Sequence, residues 1–225
     1  MIIAIHQPQF MPWLGYFDKI DLADAFVYLD NVQFKKNEYQ NRNRIKTSQG
    51  WQWLTVPVTY RYPEKICEVK IDNKANWKKK HLMSIKTNYK KTPYFDLYFQ
   101  EIVGLYSKNY EYLSDFNIAS VEMISRLLGL DKKTHKASGI KGLREEPTLR
   151  LVDICKSLCG DTYLSGRDGK EYMDISAFTR EGIEVVFQEF NHPIYPQLYG
   201  DFNPFMSSID MLFNCGKESL KVLRA

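Results

Sequence analysis

The chain has 225 residues, a formal net charge of +4, 44% hydrophobic and 26% charged residues, and a generous aromatic supply of 15 Tyr, 13 Phe and 4 Trp. That length buries one substantial core and favours a single α/β domain over 1–225, while the mild charge argues against a nucleic-acid stripe. No apolar run approaches the roughly 20 residues of a membrane-spanning helix, and the chain is expected to be cytoplasmic, with no membrane insertion.

Ile2 to Ile5 is continuously apolar and reads as a short buried strand. Pro8 and Pro12 follow, and from there Leu14, Phe17, Ile20 and Ala23 recur at helical spacing up to Asp24. AFVYLD, residues 25 to 30, is a second buried strand, completing a β-α-β unit. Residues 31 to 51 read as a long polar loop of the kind that carries binding groups. Residues 53 to 58 and 66 to 71 are expected as strands pairing in a hairpin around RYPEK.

From about 74 to 130 the pattern is helical and predicts an inserted helical subdomain. Its first helix, NWKKKHLMSIKTNYKK (76 to 91), gathers Trp77, His81, Leu82, Ile85 and Tyr89 on one side and most lysines on the other. A second runs from Pro93 through Leu105, and a third ends at Gly129. A strand is predicted over 133 to 138, a helix over 147 to 160 with Gly160 at its end, and strands over 161 to 166 and 183 to 190. The last helix is expected within 206 to 216. Strands alternating with helices predict a mainly parallel sheet with helices on both faces.

In such a sheet, ligands bind outside the carboxyl ends of the strands. His6 and Gln7 follow the first strand, Asp30, Asn31 and Gln33 the second, Ser165, Gly166 and Arg167 a later one, and Asn191 and His192 the last. These loops are expected to share one rim. His6 and His192 are the candidate general bases, with Lys19 and the arginines stabilising negative charge. In QNRNRIK, Asn41, Arg42, Asn43 and Arg44 read as a grip on phosphate or carboxylate. Gln7, Tyr16, Asp30, Gln33, Ser165, Gly166, Arg167 and Tyr172 complete the candidate substrate-binding set. The four cysteines, Cys67, Cys155, Cys159 and Cys215, are scattered, expected reduced and mostly buried. No metal motif is present, so no metal ligand is assigned.

HQPQFMPWLGYFDKI, QNRNRIKTSQGWQWLTVPV and FNPFMSSIDMLFNCG together resemble the WbqC-like proteins, over essentially the whole chain. The resemblance implies a place in bacterial O-antigen and other surface-polysaccharide clusters, often beside sugar aminotransferases. The strand, loop and PWLGYFDKI segment is also similar to the opening of nucleotidylyltransferase-type folds, whose first helix begins with His-x-Gly-His. Here those positions are Trp13, Leu14, Gly15 and Tyr16, so only the glycine matches. Together these imply a transferase or amide-forming ligase acting on a nucleotide-linked amino sugar, with ATP as a possible cofactor. A non-catalytic protein that binds a nucleotide or glycan precursor is the alternative, and a nucleic-acid-binding protein the third.

Overall fold

The computed structural model describes residues 1–225. Five parallel strands form the central sheet in the order β7-β2-β1-β8-β9, comprising β1 (Ile2–His6), β2 (Ala25–Tyr28), β7 (Lys133–Lys136), β8 (Thr162–Ser165) and β9 (Glu184–Phe187). The chain moves outward from β1 to β2 and later returns to the other side of β1 with β8. The topological switch therefore lies between β1 and β8.

Alternation along the strands divides two cores. Ala4, Phe26, Tyr28 and Leu164 point into a cluster of 41 buried residues shared with α1 (Leu14–Leu22), α2 (Trp77–Tyr89), α3 (Phe95–Ser107), α4 (Leu113–Leu128), α7 (Ile209–Cys215) and α8 (Ser219–Leu223). Ile3, Ile5, Ala25, Val27 and Tyr163 point the other way, into 14 buried residues closed by α5 (Pro147–Ser157) and α6 (Ile175–Arg180). The central strands read as unbroken apolar runs because both faces are covered.

The lysine-rich helix is α2, and it buries Trp77, His81, Ile85 and Tyr89 as its periodicity predicts. Gly129 closes α4 in the left-handed region at φ 79°. The end of α5 differs from expectation. The left-handed residue there is Cys159, at φ 55°, while Gly160 is required for space, since a Cβ on it would lie 2.3 Å from Ile3 Cγ1. Cys159 is also exposed, unlike buried Cys155 and Cys215 and half-buried Cys67, and all four thiols are free.

The expected loop over 31 to 51 is corrected by the structure. Residues Arg42–Thr47 form β3 and pair antiparallel with β4 (Gly50–Thr55), from Arg42 opposite Thr55 to Thr47 opposite Gly50. The hairpin expected from the following strands shrinks to two residue pairs, β5 (Val58–Thr59) with β6 (Lys70–Ile71), because Ile66–Glu68 turns as a 3-10 helix. The helix expected over 206 to 216 is α7 and starts at Ile209, and it is followed by a further helix, α8; α6 likewise joins the elements expected. No helix is long and apolar enough to cross a membrane.

Candidate functional site

β1 ends on His6 at the carboxyl rim, with Tyr28 and then Lys136 as its registered neighbours on one side. On the other side, β1 pairs with β8 from Ile2 opposite Thr162 to Ala4 opposite Leu164, and β8 ends at Ser165 with Gly166 just beyond it. The carboxyl ends of β2, β1 and β8 thus lie side by side at the switch point.

The His6 ring is half-buried and lies edge-on to Tyr16, centroids 4.8 Å apart. Its Nδ1–H donates to the Gln7 carbonyl at 3.1 Å, since a carbonyl only accepts, and this leaves Nε2 as the free basic nitrogen. The same carbonyl accepts the Tyr16 hydroxyl at 3.1 Å. Burial, then the nearby Lys19 ammonium, lower the His6 pKa to about 4, so the ring is neutral at physiological pH.

Lys19 projects from α1 and is 3% exposed. Its Nζ donates to the Ile5 carbonyl at 3.0 Å and belongs to none of the ion pairs in the molecule. Burial alone drops its pKa to about 7. Close by, the buried Tyr28 hydroxyl has no hydrogen-bond partner, although buried polar groups are as a rule paired. Tyr16 and Tyr28 both have their hydroxyl pKa raised by burial, so both are protonated donors. The Gln7 side-chain Oε1 accepts the Gln40 amide at 2.7 Å, which fixes the Gln7 amide group in place.

Gly15 opens α1 beneath the Trp13 indole. A Cβ there would sit 2.2 Å from the ring, so the Trp-x-Gly spacing is a packing demand. Trp13 in turn packs on Phe190, His192 and Phe205.

Several expected site residues serve elsewhere. His192 donates its Nδ1–H to the Pro193 carbonyl at 2.9 Å and accepts the Phe205 N–H on Nε2 at 3.1 Å, so both nitrogens are occupied by backbone and no base remains. Asp30 is buried and accepts the Ser138 N–H at 2.8 Å and the Ser138 hydroxyl at 2.6 Å, tying the ends of β2 and β7 together. Asn43 of β3, and Asn41 just before that strand, are buried. Asn43 donates to the Met11 carbonyl at 2.6 Å, and Asn41 donates to the Val56 carbonyl at 3.1 Å. The alternation of the strand therefore turns Arg42 and Arg44 away from residues 10 and 11, onto the opposite face. The four residues of the expected grip divide into two backbone anchors and two free cations.

Ser165, buried at the end of β8, donates to the Gly166 carbonyl at 3.1 Å. Arg167 and Tyr172 are largely exposed, and the Arg167 guanidinium reaches only its neighbour Asp168, at 3.9 Å. Gln33 is exposed and bridges to Lys65 through backbone. The rim thus gathers His6, Gln7, Tyr16 and Lys19, with Ser165 and Gly166 across the switch point. It does not gather Gln33, Asn41, Asn43 or His192. Tyr28, absent from the sequence-based set, lies inside the cluster; its place as the last residue of the strand beside β1 was the available signal. Two surface hollows, of about 620 and 230 Å³, lie at the start of α2 and contain none of the expected site residues. No group of three or more His, Cys, Asp or Glu side chains is arranged to hold a metal.

This is an α/β protein whose open parallel sheet carries an imidazole, an unpaired ammonium and two buried phenols at its switch point. The chain belongs to the WbqC-like protein family, whose model matches residues 7–222. It is 34% identical to Uncharacterized protein Rv1507c of Mycobacterium tuberculosis (strain H37Rv) over 226 residues, covering 99% of this chain and 97% of that protein. No solved structure gives a significant match.

Proposed function

We propose that the protein is a transferase or amide-forming ligase that modifies the amino group of a nucleotide-linked sugar in bacterial surface-polysaccharide assembly. The observation that carries this reading is Lys19: a buried ammonium without a carboxylate, beside a histidine whose Nε2 is free. A cation left without its counter-ion in a low-dielectric setting favours an anionic ligand or a developing oxyanion far more than it favours folding. Membership of the WbqC-like family supports the pathway.

In this reading, His6 Nε2 takes the proton that the sugar amine loses as its nitrogen bonds to the carbonyl carbon of an activated acyl donor such as an acyl-adenylate. The bond from that carbon to the leaving group then breaks, the leaving group departing with the electron pair as the phosphate anion. Lys19 faces the oxygen on which negative charge grows. Tyr16 holds the Gln7 carbonyl and, through it, the tautomer of His6.

The test is mass spectrometry of nucleotide-linked amino sugars incubated with the protein and activated acyl donors, ATP included. A mass gain on the sugar nitrogen is expected. His6→Gln is expected to abolish it at unchanged thermal stability; undiminished turnover by that variant removes His6 from the mechanism.

A further inference from the structure

The outward face of the β3–β4 hairpin carries a row of cations and aromatics that the rim does not use. Arg42 and Arg44 stand two residues apart on β3, roughly 6.7 Å along the strand. Trp53 faces Arg44 across the ladder and Trp51 faces Lys46, which puts both indoles on the same side. The Arg42 guanidinium lies 4.2 Å from the Trp53 ring centroid, and that of Arg44 lies 5.1 Å from Trp51 and 5.8 Å from Trp53. Stacking holds both planar groups in place and leaves most of their N–H edges unspent.

Those edges find few partners within the chain. Arg42 Nε and Arg44 Nε are both buried without a partner. The terminal nitrogen of Arg44 reaches Tyr39 Oη at 3.5 Å and the Phe205 carbonyl at 3.4 Å, both long. Neither guanidinium belongs to an ion pair.

The row is also closed at both ends. Beyond Arg44 on the same face, Lys46 is 1% exposed and its ammonium is spent on Gln197 and the Asp201 carbonyl. Before Arg42, Gln40 is buried, with its amide committed to Lys35 and Gln7. Two cations without a third suit two phosphates, where a nucleic-acid strand needs a continuing track. Trp51, at 43% exposure, offers one open aromatic face at the end of the pair.

We propose that this face is a nucleoside-diphosphate site, with Arg42 and Arg44 on the two phosphates and Trp51 stacked on the base. The assignment stands on the geometry of the hairpin and deepens the nucleotide-sugar reading above, on which its place in a reaction rests. It is tested by binding alone, so its outcome is independent of turnover.

Tryptophan fluorescence and calorimetry with UDP, ADP, UMP, inorganic pyrophosphate and a ten-residue oligothymidylate provide the test. UDP or ADP is expected to bind and quench fluorescence, with UMP weaker by about tenfold or more because one guanidinium is left unmatched. Arg42→Lys and Arg44→Lys are each expected to weaken the diphosphates by about tenfold despite keeping the charge, since an ammonium neither forks nor stacks as a guanidinium does. Trp51→Ala is expected to weaken UDP and ADP by about tenfold and to leave pyrophosphate unchanged. The proposal is overturned if the folded protein binds neither diphosphate at millimolar concentration, if both Arg→Lys variants bind like the unchanged chain, or if the oligonucleotide binds more tightly than UDP with a steep salt dependence.

Discussion

A lysine ammonium sunk among apolar neighbours with a single carbonyl for company costs the native state free energy, and replacing it reveals how much. Lys19 gives up its proton near pH 7 when folded, against an ordinary value of 10.5. Below pH 7 both folded and unfolded chains hold the proton, and the penalty is complete. Between about 7 and 10.5 the unfolded chain binds more protons, so this group's contribution to stability rises with pH. Lys19→Met is therefore expected to be more stable than the parent by about 2–4 kcal/mol in denaturant titrations at pH 6, an advantage that fades by pH 10. A variant less stable at pH 6 refutes the assignment of an uncompensated charge. The same two groups set a pH profile for catalysis. His6 is neutral above about 4 and Lys19 charged below about 7, so kcat/KM is expected to plateau between these values and fall on either side. A profile that instead rises through 7 makes neutral Lys19 the base. The role of His192 illustrates what single residues hide. A histidine after the last strand satisfies every sequence criterion for a base, and only the backbone folded around it shows that Pro193 and Phe205 occupy its two nitrogens.

Among the elements, β1, α1 and β2 were legible because each is a local apolar pattern: an unbroken run, a 3.6-residue recurrence and a second run. The β3–β4 hairpin was not, although Arg42, Arg44 and Lys46 do alternate with Asn43, Ile45 and Thr47. The alternation is between two kinds of polar residue for most of its length, and the usual signal contrasts apolar with polar. Asn43 is the residue that makes the inward polar face viable, by satisfying Met11 and by accepting the Arg44 N–H at 2.8 Å. Asn43→Ala is expected to cost about 1–3 kcal/mol in urea unfolding, the usual penalty for stranding a buried carbonyl. A change below 0.5 kcal/mol, a value about the size of ordinary surface effects, would show that the loop carbonyls find other donors. Helix α6 escaped notice for a simpler reason: six residues hold too few turns to display a period.

For the molecule as a whole, alternating strand and helix patterns foretold the parallel sheet. The order of its strands came from the structure, because the long stretch of hairpins and helices between β2 and β7 hides which neighbours the later strands choose. That order makes a prediction. β1 and β2 are enclosed by partners and by both cores, whereas β7 and β9 are edges, with Lys133, Lys136, Glu184 and Val186 exposed. Hydrogen exchange is expected to be slowest at Ile3–Ile5 and Phe26–Tyr28 and at least about tenfold faster across Lys133–Lys136 and Glu184–Phe187. Equal protection across the five strands would contradict a sheet that opens from its edges. The charged edge residues also discourage pairing between molecules.

The inside-outside alternation of β3 has a consequence for how the chain tolerates length changes. Adding one residue directly after Arg42 exchanges the two faces of everything beyond it, swinging the Arg44 guanidinium under the proline-rich turn and the Asn43 amide onto the arginine face. Adding two restores every side chain to its own side. Engineered extensions of this ribbon should therefore be accepted in even steps and rejected in odd ones.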